Sequence, residues 1–318
     1  MKARANSVTA AGAVLLRMAE DARFRRFVEE RSLSRDLVSR FVAGESVSSA
    51  LDVTGELLAR GRLVSVALLA TDPLDRPAAR DRRKRLRKVL RRLGQAGLSA
   101  PHDGNRVEVC LRLGALGAKL SADGAEVAAD NARAVAESAA AVGARVTVES
   151  EPGVPLNVRL AVVDMLRADI DDTGIELAVG RPGAEAEVAE RIASGCRVRL
   201  SKGGEDRPDA LDRHQGDLAY VRCLTALMRS EVPFSVTAED RRILEIADTL
   251  VARGERERGT FEYHLRLGHR RMVIATVADR GDNMRVYVPF GDDWYPYLME
   301  RIGEAPTRLG ALLRRRDQ

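Results

Sequence analysis

The sequence is poor in the residues that build covalent or metallic frames. It holds three cysteines in 318 residues, Cys110, Cys196 and Cys223, widely spaced and set among apolar neighbours. That spacing excludes a disulfide framework and a zinc site, and predicts reduced core thiols in a cytoplasmic protein. The four histidines, His102, His214, His264 and His269, form no His-Glu-x-x-His pair, so no structural metal is expected. No window approaches the ~18–20 uninterrupted apolar residues of a membrane span. The first sixteen residues carry two basic side chains and a weak apolar run, followed at once by Arg17, Glu20, Asp21 and Arg23, with no small-residue cleavage site. They read as an amphipathic helix and not as a signal peptide. No Gly-x-Gly-x-x-Gly follows the first apolar run, which weighs against a dinucleotide-binding fold. Aromatic residues are missing from the one strongly basic stretch, Arg80–Arg92, where nine basic residues stand against one acid. Leu86, Val89 and Leu90 give that stretch a buried stripe, and nothing in it could stack on a base. A solvated helix face is expected there, and specific nucleic-acid binding is not.

What is present is a soluble globular composition, 45% hydrophobic and 31% charged, in a chain long enough to bury a large core. Hydrophobic periodicity alternates between the two regular periods. Strands are expected at Leu63–Leu69, Val107–Leu113, Arg145–Glu149, Ile175–Val179, Arg197–Leu200, Pro233–Thr237, Thr260–His264 and Arg285–Pro289. Helical sequence precedes or follows each of them: Val47–Ala59, the basic helix ending near Gly97, Ala125–Val142, Leu156–Asp169, Glu185–Ala193, Gly216–Met228, Glu239–Ala252 and a short helix near Arg266–Arg271. Eight apolar strands alternating with helices predict a (β/α)8 TIM-like barrel over residues 46–318, with an N-terminal helical segment, residues 1–45, packed on it.

In such a barrel, chemistry belongs at the C-terminal ends of the strands. The expected ends carry Arg112, Glu149 and Glu151, Arg199 and Lys202, Thr237, Glu262 and His264, and Tyr287. Each charge taken singly is consistent with a salt bridge at the rim. Together, in strands otherwise aliphatic, they suggest a polar, anion-receptive site, because an unpaired buried charge is costly. The stretch Met284–Glu304 reads as a strand, a Phe290–Gly291 turn and a helix, with N-cap chemistry from Asp292 and Asp293 and Pro296 in the first helical turn. Tyr297, Glu300, Arg301 and Glu304 share one face of that helix, as at the lip of an active site or on an ordinary solvated helix.

Seven segments, in order, resemble the proline dehydrogenase family: FVAGES at Phe41–Ser46, VCLRLGALG at Val109–Gly117, VTVESE at Val146–Glu151, RVRLSKGG at Arg197–Gly204 with YVRCLTALM downstream, FEYHLRLG at Phe261–Gly268, and RVYVPFGDDWYPYLMERIGE at Arg285–Glu304. The resemblance implies a distorted (β/α)8 barrel carrying FAD. It implies hydride transfer from L-proline, or a related cyclic or secondary amine, to the flavin. By the same likeness Arg112 and Arg301 would hold the substrate carboxylate, Tyr287 and Tyr297 would shape the pocket, and Glu149 would pair with the cations. Arg199 would reach the flavin near N5, with Lys202, Gly203, Thr237 and Glu262 also on the cofactor side. A quinone would reoxidise the flavin, with the protein cytoplasmic or peripheral at the inner membrane face. The chain departs from the pattern in four places. Glu300–Arg301 stands where two arginines are usual, Leu177–Gly183 lacks the Gln-Ala-Tyr-like end of strand four, Ala238–Glu239 follows Thr237 where a histidine is usual, and Gly204–Glu205 replaces Ala-Tyr. Two alternatives therefore stand beside proline oxidation. Either Glu300 receives a cationic amine in the same barrel, or the barrel is non-catalytic.

Overall fold

The computed structural model describes residues 38–101, 106–203, 209–237, 241–268, 277 and 280–304. Eight parallel strands close into a barrel in chain order. They are β1 (Leu63–Leu68), β2 (Val107–Leu111), β3 (Arg145–Val148), β4 (Thr173–Ala178), β5 (Arg197–Ser201), β6 (Phe234–Thr237), β7 (Glu262–Arg266) and β8 (Asn283–Phe290). The helices are α1 (Val47–Ala59), α2 (Arg76–Gln95), α3 (Gly124–Ala140), α4 (Leu156–Arg167), α5 (Ala184–Ala193), α6 (Arg213–Met228), α7 (Arg241–Ala252) and α8 (Trp294–Glu304). The expected (β/α)8 architecture is present. Most of the proposed N-terminal segment lies outside the described residues.

The strand sequences explain the two-layered build. Alternate residues such as Val64, Val66, Val109, Val146, Val198, Leu200, Val236, Leu265 and Val288 are fully buried in one apolar shell between strands and helices. The basic helix α2 joins that shell through Leu86, Val89, Leu90 and Leu93 and leaves most of its cations exposed. The other alternation points inward and is charged. The strand registers stagger the inward residues into layers of alternate strands, as in this fold generally. From the N-terminal end upward these are Arg145, Arg197 and Glu262; then Glu108, Gly174, Ser235 and Arg285; then Ser65, Thr147, Arg199 and His264; then Cys110, Glu176, Thr237 and Tyr287; then Ala67, Glu149, Ser201 and Arg266.

An ion network fills the lower layers. Glu108 accepts hydrogen bonds from Ser65 Oγ (2.7 Å), Thr147 Oγ1 (2.6 Å) and Arg197 Nη1 (2.7 Å), and from Arg199. Burial raises its pKa, but the surrounding guanidiniums of Arg199, Arg197, Arg285 and Arg145 outweigh burial and hold it well below the usual carboxylate range. Glu262 pairs with Arg285 (2.5 Å) and Arg145. Gly174 gives the network room, since a Cβ there would stand 2.8 Å from Arg197 Cζ. The three cysteines are buried free thiols. Among the described residues no helix is long and apolar enough to cross a membrane.

The last helix covers the top of the barrel beside β1. Trp294, Tyr295, Leu298 and Met299 of α8 cluster with Leu69 and Val42, against which Val38, Phe41 and Tyr297 also pack. Pro289 O accepts from Ala43 N (2.8 Å), Gly44 O from Gly291 N (3.0 Å), and Glu45 Oε1 from Trp294 Nε1 (2.7 Å). Gly291 adopts φ 135°, and a Cβ there would lie 2.3 Å from Leu69 O, so only glycine fits this turn. The carboxylates expected to cap α8 have partners elsewhere. Asp293 Oδ2 accepts from Thr71 N (2.6 Å), and Asp292 pairs with Arg85.

Candidate active site

The mouth is built where β2, β3 and β8 end. Glu149 follows β3 and is 6% exposed. Its Oε1 lies 3.3 Å from Arg199 Nη1, and Tyr287 Oη donates to its Oε2 at 3.4 Å. Burial, and then the neighbouring charge of Glu176, push the Glu149 carboxyl up to about 7 despite Arg199. The Tyr287 phenol is driven well above its ordinary value by burial and then by Glu149, so it remains a hydrogen-bond donor. Arg112, one residue beyond β2, faces Glu151 at 3.6 Å and donates to Ala70 O at 3.4 Å. Gly114 N donates to Glu151 Oε1 (2.8 Å), fixing that carboxylate beneath the mouth. A Cβ on Gly114 would come within 2.8 Å of Glu151 and 2.7 Å of Asp72. Above, Arg301 Cζ lies 5.3 Å from the Tyr297 ring centroid, so the two residues share a face of α8 as expected.

The structure thus gathers Arg112, Glu149 and Tyr287 at the mouth, with Tyr297 and Arg301 on the helix that covers it. The backbone of Glu300 belongs to the same helix, and its side chain, like that of Glu304, lies outside the described residues. Arg199 is 2% exposed and sits lower than a strand-end residue, its guanidinium turned to Glu108, Glu149 and Cys110. Lys202 follows β5 and pairs with Asp217 (2.6 Å), with Gly203 next to it. Thr237 ends β6, and its carbonyl accepts from Tyr220 Oη at 3.4 Å. Glu262 is not at the mouth. β7 begins there, two residues later than expected, which places Glu262 at the opposite end of the barrel.

His264, in the middle of β7, is 4% exposed and stands edge-on to Tyr287, with 5.8 Å between ring centroids. Both its ring nitrogens, and Nε of Arg199, lack hydrogen-bond partners among the described residues. Burial, and then the charge of Arg199, hold the imidazole neutral, its pKa well below the usual histidine range. Glu176, Asp72 and Arg266 escaped the sequence reading. A lone charge inside the apolar run of β4 is the signal that marks Glu176. One surface hollow, beside Arg181 and Gln215, lies where the loop after β4 meets the starts of α5 and α6, and another, beside Arg87 and Ser138, lies between α2 and α3.

No family model matches the chain. Proline dehydrogenase 1 of Bacillus subtilis strain 168 is 24% identical over 278 residues, covering 86% of this chain and 89% of that protein. Proline dehydrogenase of Deinococcus radiodurans is 30% identical over 112 residues, covering 34% and 36%. Among solved structures, proline utilization A from Bdellovibrio bacteriovorus inactivated by N-propargylglycine aligns with a TM-score of 0.78 at 17% identity. It covers 95% of this chain and 39% of that one, so the chain spans about two fifths of that protein. Proline utilization A from Corynebacterium freiburgense gives 0.71 at 17% identity, covering 99% and 35%. These structures share the barrel fold. In sequence the chain is similar, at low identity, to these proline dehydrogenases.

Proposed function

We propose, from this kinship, that the chain is a proline-dehydrogenase-like oxidoreductase that removes a hydride from L-proline or a close cyclic amine. The observation that carries the reading is the convergence at one mouth of Arg112, Glu149 and Tyr287, from three strands, at positions the family resemblance marks. Arg112, with Arg301 from α8, is suited to receive the substrate carboxylate, since a guanidinium fork matches its two oxygens. Glu149, with its carboxyl near neutrality, is suited to take the proton of the substrate ammonium, and Tyr287 orients it through their hydrogen bond.

The site also suits a flat, polar cofactor ring. Ala178 and Ser201 are small paired residues at the ends of β4 and β5, and just beyond them the backbones of Gly180 and Gly203 meet through a 2.8 Å hydrogen bond. Below the mouth, the unpartnered nitrogens of His264 and Arg199 are polar atoms with unmet hydrogen bonds. FAD would be held there by residues around Arg199, Lys202, Gly203 and Thr237, and it would supply hydride acceptance. A quinone is the proposed final acceptor. The test is to incubate purified protein with FAD, desalt it, and assay L-proline with an artificial electron acceptor. Retained flavin absorbance together with Δ1-pyrroline-5-carboxylate formation is the expected result. A colourless protein overturns the enzyme reading, and a yellow protein that oxidises only cationic amines overturns proline as substrate.

A further inference from the structure

We propose that Glu176, the lone charge of β4, is a positioning residue for Glu149: it draws on the same Arg199 guanidinium, and so leaves Glu149 a proton acceptor and not half of a closed ion pair. This rests on the reading of Glu149 as the base of an amine-oxidising site and deepens it by naming what sets that base. The step served is proton transfer alone, in which the substrate ammonium loses one proton and a Glu149 carboxylate oxygen gains it.

Strand alternation turns Glu176 into the barrel. Ile175 and Leu177, on either side of it, are buried in the outer apolar shell. Gly174, two residues earlier, lies against the Arg197 guanidinium, and the backbone register sets Glu176 beside Arg199 of β5. Arg199 Nη1 stands 3.3 Å from Glu149 Oε1 and 3.8 Å from Glu176 Oε2, while Nη2 is committed to Glu108. A charge-assisted pair closes at about 2.8 Å. The two upper carboxylates thus share one nitrogen, and neither closes on it.

The groups around this pair come from every neighbouring element. β2 brings Glu108 and the Cys110 thiol, 3.7 Å from Arg199 Nη1, and Arg112 just beyond β2 faces Glu151 at 3.6 Å. β8 brings the Tyr287 phenol, and β7 brings the neutral His264 imidazole and, in the layer of Glu149, Arg266. Arg159 of α4 donates to the Glu176 backbone carbonyl at 3.1 Å. Among all of these, Glu176 is the anion that most strongly opposes Arg199 at Glu149. Two carboxylates drawn to one cation in a poorly hydrated site hold a proton between them that a fully paired carboxylate would release. Burial and the charge of Glu176 together hold the Glu149 carboxyl at about 7 in spite of Arg199. A base transfers a proton best when its affinity lies near the working pH, which Arg199 closed on Glu149 alone would forfeit.

The test follows the Glu149 carboxyl directly. The full chain with carbon-13-labelled glutamate carboxyls is titrated by NMR, the Glu149 signal being the one absent from Glu149→Gln. Initial rates of L-proline oxidation by the FAD-loaded proteins are measured over the same pH range. In Glu176→Gln the Glu149 midpoint should fall by about one pH unit or more, and the inflection in rate should fall with it. The rate at about pH 6, as a share of its plateau, should then rise about fivefold. Glu176→Asp keeps the charge and should hold the midpoint close to the parent's. Should Glu176→Gln fail to fold, the smaller uncharged Glu176→Thr takes its place. An unchanged midpoint in the uncharged variant, or an equal fall in Glu176→Asp, would overturn the inference and leave Glu176 a structural partner of Arg199. A midpoint that falls while the rate inflection stays fixed overturns Glu149 as the base, and with it the role given to Glu176. A midpoint that falls in a protein that oxidises no L-proline refutes the oxidoreductase reading and leaves the hold of Glu176 on Glu149 standing.

Discussion

Glu149 combines a carboxyl near neutrality with a phenol and a guanidinium, and that combination sets the pH response of the site. Its folded pKa is raised to about 7, so below that pH the carboxyl is protonated and has no lone charge to accept a proton. Turnover of L-proline should therefore rise with pH through about 7 and level off above it. Glu149→Gln should lower kcat by about 10²- to 10⁴-fold, the usual worth of a placed base, and remove that inflection. An inflection that survives in the variant assigns it to another group. Deeper in the barrel, Glu108 neutralises Arg197 and Arg199 at once. Glu108→Gln leaves those buried guanidiniums under-compensated and should cost roughly 3–5 kcal/mol of stability, read as a lowered denaturant midpoint. An unchanged midpoint means that Arg197 and Arg199 do not depend on Glu108 for their burial.

Among the elements, β7 and α8 separate what sequence reveals from what it hides. Residues Thr260 and Phe261 have strand-like chemistry, and the pattern placed β7 there. In the fold Thr260 is used by the preceding turn, accepting from Arg256 Nε and donating to Glu257 O, while Phe261 stacks on Phe234 at 5.2 Å. The strand starts two residues later, and for that reason Glu262 falls to the barrel floor and Arg266 to the mouth. Side-chain hydrogen bonds of this kind depend on neighbours that a single segment does not display. The turn into α8 was legible, because Gly291 is the residue such a turn requires. Gly291→Ala combines φ 135° with a 2.3 Å approach to Leu69 O, and it should displace α8 and with it Arg301. A several-fold higher KM for L-proline with barrel circular dichroism retained is expected, at a stability cost of about 1–3 kcal/mol. An unaltered KM would show that α8 does not shape the pocket.

For the whole molecule, eight apolar strands alternating with helices were enough to specify the closed barrel, and the motif order placed Arg112, Glu149 and Tyr287 correctly at one end. The inward ion network was not legible, because partners such as Glu108 and Arg199 meet only when the barrel closes in this register. That network predicts an acid limit. Burial raises the Glu262 pKa, but Arg285 and Arg145 outweigh it and hold the carboxyl down to about 2, and Glu108 is likewise depressed. The stability they contribute is present above the unfolded carboxylate value of about 4.3 and is lost as pH falls toward about 2. Acid titration of folding should show that loss, and Glu262→Gln should make the curve shallower across the same window. A variant curve parallel to the parent's would show that Glu262 does not set the acid limit.

The proposed oxidation of proline at this mouth would run through a bound flavin. Its most direct test is anaerobic mixing of the FAD-loaded protein with L-proline, followed at the flavin's visible absorbance. L-proline should bleach the flavin in a single turnover, faster than pyrrolidine does. Flavin that stays oxidised in L-proline contradicts it.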